Sequence, residues 1–186
     1  MRAHLQMFFT AALLAGWLTT GHADNNPTNG APMKLQLTTT AFAEGQPIPL
    51  RHSYNDQDIS PALQWSGVPP AAKSLALICD DPDAPMGTWV HWVIYDLPPA
   101  TAGLSEGVPK SPELANGAKQ GVNDYQRTGY GGPCPPPGKP HRYFFKLYAL
   151  DLPPDLKSGL TKKDLVAAMD GHILAEGQLM GTYQRK

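Results

Sequence analysis

The sequence predicts a mainly β domain: an antiparallel β-sandwich with one or a few short helices, the clearest near the C-terminus. Three observations point there. The 186-residue chain holds 20 Pro and 18 Gly, and breakers at that density end helices before they can build a bundle. Its apolar residues come in runs of strand length, separated by Pro, Gly, Asn and Asp. Only one stretch carries helix start and stop signals together.

The elements are taken in chain order. Arg2, the apolar residues 7–18 and Gly21-His22-Ala23 read as a secretory signal peptide cut after Ala23. The apolar run is shorter than the ~18 residues of a membrane span. This leader implies a periplasmic or secreted protein. Residues 24–32 are polar, with two Pro and a Gly, and are expected to be a disordered leader before a single domain over 33–186. Residues 34–42 alternate and are rich in β-branched side chains, which predicts a strand. Residues 46–49 form a turn or edge, and 55–61 a polar loop. Ala62 to Trp65 is a short strand stopped by Ser66-Gly67-Val68-Pro69-Pro70. Residues 74–79 and 89–95 are continuous apolar runs, which predict strands buried on both faces. Residues 100–140 hold no long periodic segment and read as loop. Residues 141–150 are the third central strand. Thr161 caps a helix over 162–169, with Asp164 at the third position of a capping box and Gly171 as the stop. Gly177 and Gly181 make 172–183 a closing strand rather than a helix.

The chain carries 15 Lys and Arg against 16 Asp and Glu; without Arg2 the balance is about −2. That argues against nonspecific nucleic-acid binding and against electrostatic adsorption to anionic membranes. No stretch beyond the leader is long enough to insert stably in a bilayer.

Polar chemistry gathers at the strand ends. Alternation puts Trp89, His91, Val93 and Tyr95 on one face of their strand, and His141, Tyr143, Phe145 and Leu147 on one face of theirs. By the same alternation Trp89 and Trp92 point to opposite faces. Asp81 and Asp83 stand just past the end of the 74–79 run. If that run pairs with 89–95 as a wide hairpin, Asp81 or Asp83 faces His91; His141 joins them if its strand is a neighbour. A carboxylate bonded to one imidazole nitrogen fixes the tautomer and raises the ring's pKa. Two such rings in a shallow pocket attract an anion. Tyr130-Gly131-Gly132-Pro133-Cys134-Pro135-Pro136-Pro137-Gly138 adds glycine N–H donors and stiff proline walls.

Taken singly, these residues also fit duller roles: structural histidines, and an Asp-Pro-Asp turn with Asx caps. Asp81, His91 and His141 could make a three-ligand metal site, but neither HExxH nor paired CxxC spacing is present. No metal or cofactor is therefore expected. A hydrolase would need a nucleophile, and Ser53, Ser60 and Ser66 lie outside any recognisable nucleophile context. A protein-binding role stays open.

Asp81-Pro82-Asp83-Ala84-Pro85 followed by His91-Trp92, and Tyr130-Gly131-Gly132-Pro133-Cys134-Pro135-Pro136 followed by His141-Arg142-Tyr143, resemble the two motifs of the phosphatidylethanolamine-binding protein family, in its bacterial Raf-kinase-inhibitor-like branch. The resemblance covers about Met33 to Lys186. It implies a β-sandwich with one pocket for phosphate-like and carboxylate-like anions, phospholipid head groups among them; a non-enzymatic binding module is the leading expectation, with a hydrolase using the Asp/His pocket as the alternative. Carried over by motif position, the pocket uses Asp81, Trp89, His91, His141 and Tyr143, with walls from Pro85, Gly132, Pro135 and Pro136. Asp83 then braces the turn, and Arg142 pairs with an acid behind the pocket. The resemblance also suggests a cis Ala84–Pro85 bond. Kinase inhibition, known of some members, transfers poorly to an exported chain, which does not meet a cytosolic kinase in its own cell. Cys79 and Cys134 are the only cysteines. An even count in an oxidising compartment suggests pairing. Cys79 shares a strand face with Asp81, and the resemblance places Cys134 over the pocket. A bridge between them, or two free thiols, are the alternatives.

Overall fold

The structure, a computed structural model, describes residues 33–185. The expected signal peptide and the polar leader over 24–32 lie outside the described residues. Nine strands and a helix follow one another: β1 (Met33–Lys34), β2 (Gln36–Thr38), β3 (Leu63–Ser66), β4 (Ser74–Asp81), β5 (Trp89–Leu97), β6 (Gly103–Leu104), β7 (Lys119–Gln120), β8 (His141–Leu150), α1 (Lys162–Met169) and β9 (Ile173–Tyr183). They form a six-stranded sheet in the order β1-β9-β8-β4-β5-β7 and a three-stranded sheet in the order β2-β3-β6. Every pairing is antiparallel except β1 with β9.

The larger sheet is apolar on both faces because two layers cover it. Leu75, Leu77, Trp92, Ile94, Phe145 and Leu147 pack against Leu37, Leu63, Trp65 and Leu104 of the smaller sheet. On the opposite face, Ala76, Ile78, Val93 and Tyr95 meet Leu165 and Met169 of α1. The continuous apolar runs of β4 and β5 follow from this double coverage. The helix begins as its capping box requires: the Asp164 amide donates to Thr161 Oγ1, and the Thr161 amide donates back to the Asp164 carboxylate. Aspartate is long enough for the return bond. Gly171 then leaves the helix at φ +76°.

Two expectations about the elements are corrected. The strand over 34–42 is shorter and divided: β1 joins the large sheet and β2 the small one, with the chain crossing between layers at Leu35. Beyond Thr38, the Thr39 hydroxyl accepts the Ala41 amide and turns the chain away. Residues 100–140 are mostly loop but contribute the two short strands β6 and β7.

Candidate functional site

Three strands end at one place. β4 lies between β5 and β8, so the last residues of β4 meet the first of β5 and of β8. Asp81 pairs with Trp89, and His141 opens β8. A cavity of about 180 Å³ lies there, at the end of the inter-sheet core. Its lining includes Asp81, Pro85, Trp89, His91, Pro135, Pro136, His141 and Tyr143. Those are eight of the nine ligand-binding residues expected from the sequence.

Asp81 organises the site. Its Oδ1 accepts the Asp83 amide at 2.8 Å, closing the turn, and its Oδ2 accepts His141 Nδ1–H at 2.8 Å. The carboxylate therefore holds His141 and not His91. The His91 ring instead donates from Nδ1 to the Gly131 carbonyl at 2.7 Å. A carbonyl can only accept, so the proton sits on Nδ1 and Nε2 is the free nitrogen of the neutral ring. His91 is buried, and burial lowers its pKa below the usual histidine value. The expectation that a carboxylate raises both rings is thus overturned for His91: desolvation outweighs the Gly131 carbonyl and the charge of Asp81.

The strand parity of β5 is also corrected. Cys79 pairs with Trp92 and Asp80 with Val90, so His91 is an extra residue in the ladder, a β-bulge. The bulge resets the alternation. Trp92 and Ile94 pack into the inter-sheet core that ends at the cavity, while Val93 and Tyr95 face α1. Trp89 and His91 thereby share a side with Trp92, not with Val93 and Tyr95. Trp92 is core, and its indole N–H donates to Gln120 Oε1 at 2.8 Å.

The glycine loop works differently from expectation. The Gly131 amide donates to the His91 carbonyl and the Gly132 amide to Asp58 Oδ1, so neither is free for a ligand. Their small size is what matters. A Cβ at Gly131 would meet the Tyr125 ring at 2.6 Å, and one at Gly132 would meet the His52 carbonyl oxygen at 2.3 Å. Gly132 therefore packs the loop against 52–54 from behind and does not line the cavity. The donors left over are side chains. Trp89 Nε1 and the Tyr143 hydroxyl are buried and have no hydrogen-bond partner. Burial, with the nearby Asp81 carboxylate, holds the Tyr143 phenol well above its usual range.

Residues 38–184 match the model of the family described as Phosphatidylethanolamine-binding protein. The chain belongs to the phosphatidylethanolamine-binding protein family. A UPF0098 protein of Methanothermobacter thermautotrophicus is 53% identical over 151 residues, covering 81% of this chain and 99% of that protein. One from Aquifex aeolicus is 47% identical over 153 residues, covering 81% and 89%. Among solved structures, a phosphatidylethanolamine-binding protein homologue of Chlamydia trachomatis is 45% identical with a TM-score of 0.74. YbcL of E. coli, a member of the mammalian phosphatidylethanolamine-binding protein family, is 31% identical with a TM-score of 0.76. Each covers 82% of this chain and is covered over 99% of its own.

Within this family member, the flanking assignments separate. Arg142 makes a bidentate pair with Asp83, with Nε and Nη2 at 2.9 and 2.7 Å from the two carboxylate oxygens. The guanidinium holds the Asp83 carboxyl down to about 2. The Ala84–Pro85 bond is trans, contrary to expectation. Pro85 sits second in a turn closed by the Gly87 amide on the Ala84 carbonyl, a position that trans proline suits. The cysteines are free thiols, which corrects the disulfide alternative. Cys79 is sealed in the core between Trp92 and Phe145, whereas Cys134 Sγ contacts Asn55 Oδ1 at 3.7 Å and Arg185 Nη1 at 3.8 Å.

Sequence reasoning missed Tyr125. Its ring stacks on Tyr54, meets Trp89 and His91 edge-on, and lines the cavity. It lies in a segment without periodicity, and the signal that could have found it is Gly131, which keeps space for its ring. Among the described residues, no three His, Cys, Asp or Glu side chains group so as to hold a metal ion, and no helix is long and apolar enough to cross a membrane.

Proposed function

We propose that the protein is a non-enzymatic binding protein for a small phosphate- or carboxylate-bearing ligand. One observation carries the reading: two residues that line one small cavity, Trp89 and Tyr143, bury donors, Nε1–H and O–H, that have no partner in the protein. Buried polar hydrogens without acceptors are costly, and a ligand oxygen satisfies them. The two imidazoles beside them are tied back through Nδ1, which leaves each Nε2 to accept a phosphate O–H, or to donate to an anionic oxygen once its ring is protonated. A cavity of about 180 Å³ suits a head group rather than a whole lipid. The family is named for binding a lipid whose head group carries a phosphate, which favours phosphate over other anions. The formal charge of −1 gives no field that would gather nucleic acid. We further propose export to the periplasm or outside, on the strength of the N-terminal leader signals; N-terminal sequencing of the mature protein starting at Asp24 would support it.

The binding reading is tested by titration calorimetry with inorganic phosphate and with phosphoethanolamine at pH 7. His91→Ala should weaken binding by about 0.5–1.5 kcal/mol, the scale of one lost hydrogen bond between its neutral Nε2 and a phosphate O–H, and by more at lower pH where the ring is protonated. Equal affinity in wild type and variant would remove His91 from the site.

A further inference from the structure

We propose that the cavity selects anions that carry a proton of their own, hydrogen phosphate and phosphomonoesters, and discriminates against sulfate and phosphodiesters. The inference rests on the binding reading above and narrows its ligand class. Charge alone does not do the selecting: no lysine or arginine is among the described residues that line the cavity. The one carboxylate there, Asp81, opposes a fully ionised guest. Arg142, next to His141 in β8, has its guanidinium taken by Asp83.

The recognition falls to His91. Its Nδ1–H is spent on the Gly131 carbonyl, so the neutral ring offers Nε2 as an acceptor. An acceptor lone pair attracts a P–O–H and repels an ionised oxygen. The ring is 2% exposed, and this burial keeps it neutral. Asp81 at the end of β4 and Asp124 in the loop between β7 and β8 favour the charged ring, but desolvation outweighs both. The other titratable groups lining the cavity are Tyr125, Cys134, His141 and Tyr143. Two lining residues, Trp89 and Tyr143, bury donors without partners. One acceptor and two donors match an anion with one O–H and further ionised oxygens. A phosphomonoester has a second pKa of about 6, so part of it keeps a proton at pH 7. Sulfate keeps none there. A phosphodiester, such as the link between a lipid and ethanolamine, has its single acidic O–H already ionised.

The test is titration calorimetry of the purified protein at pH 7 with phosphate against sulfate, and with methyl phosphate against dimethyl phosphate. Phosphate and methyl phosphate are counted as their protonated monoanions. Each should bind about tenfold or more tighter than its proton-free counterpart, the scale of one hydrogen bond made against one acceptor left facing an anion. Short-chain phosphatidic acid against phosphatidylethanolamine of the same chains repeats the pair on a lipid. Tight binding of methyl phosphate alone assigns the site to a free monoester; tight binding of phosphatidic acid as well extends it to a lipid-borne one. As pH falls from 7 to 5 the His91 ring gains a proton and Nε2 becomes a donor, so sulfate should gain and the phosphate-to-sulfate ratio should shrink. In His91→Gln the side-chain amide accepts from one guest or donates to the other, and the ratio should approach one at pH 7; the wild-type pH series carries the test if that variant does not fold. Sulfate or dimethyl phosphate bound as tightly as its partner at pH 7, or a ratio that does not change with pH, would overturn the proposal. Protein that binds none of these anions would instead sink the binding reading, and the selectivity with it.

Discussion

Tyr143→Phe should stabilise the free protein and weaken its ligand binding at the same time. The substitution removes one oxygen from a side chain that is 1% exposed and keeps the ring in place against His91, 5.1 Å between centroids. The hydroxyl has no partner, so the free protein carries a desolvation cost of about 1–3 kcal/mol for it. A solvent molecule entering the cavity would offset part of that, so a gain of about 1 kcal/mol is expected. In a domain of this size it appears as a melting temperature higher by about 2–4 °C. Binding moves the other way. A hydrogen bond to an anionic oxygen contributes about 1.5–3 kcal/mol, so phosphate affinity should fall by about tenfold or more. Urea titration gives the stability from a shifted midpoint at unchanged slope, and calorimetry gives the affinity. A variant less stable than wild type, with phosphate affinity intact, would show that the hydroxyl is a structural group and refute the reasoning.

Three other outcomes are expected. His91 has its pKa lowered in the folded protein, so the stability it contributes is full above ~6.5 and is lost as pH falls from there through the folded value. Anion affinity should rise over the same descent, because a bound anion favours the protonated ring; urea titrations and calorimetry across about pH 7.5 to 5 check both signs. Asp80→Ala should cost about 1.5–3 kcal/mol in urea stability, the scale of lost hydrogen bonds to charged groups, and leave phosphate affinity unchanged, since its buried carboxylate pairs with the part-exposed Lys146 and Lys162 on the face away from the cavity. Gly132→Ala should cost about 1–3 kcal/mol, because its Cβ meets backbone atoms of 52–54 at 2.3 to 2.6 Å and only the loop can move; a thermal melt reads it.

Most of the fold was legible in the sequence because short-range signals agreed with it. The β8 bounds, the α1 bounds and its cap lie where the residues put them. So does the meeting of Asp81, Trp89, His91, His141 and Tyr143 in one cavity, since strand ends that pair must bring their residues together. What stayed hidden depends on atoms far apart in the chain. The bulge at His91 is a property of two strands, and alternation along one of them gave Val93 and Tyr95 the wrong side. The partner of His91 is a carbonyl forty residues away, which no side-chain pattern records. The engaged amides of Gly131 and Gly132 are hidden for the same reason: their acceptors are His91 and Asp58.

The neighbouring aspartates explain why the end of β4 is both polar and buried. Asp80 and Asp81 follow each other in an extended strand, so they point to opposite faces of the large sheet. Asp80 turns toward the helix side, where Lys146 Nζ approaches its oxygens at 2.9 and 3.1 Å and Lys162 at the first turn of α1 completes the pairing. It ties the helix to the sheet. Asp81 turns toward the cavity and holds His141 and the turn. One strand end therefore delivers one carboxylate to stability and the next to the site. Asp83, one turn further, faces Arg142 outside. The three acids are separated by direction rather than by distance along the chain, and each meets its own positively charged or N–H partner. That separation lets three carboxylates stand within four residues, and it leaves the His91 side of the cavity, where no carboxylate is hydrogen-bonded, as the side on which the proposed anion would sit.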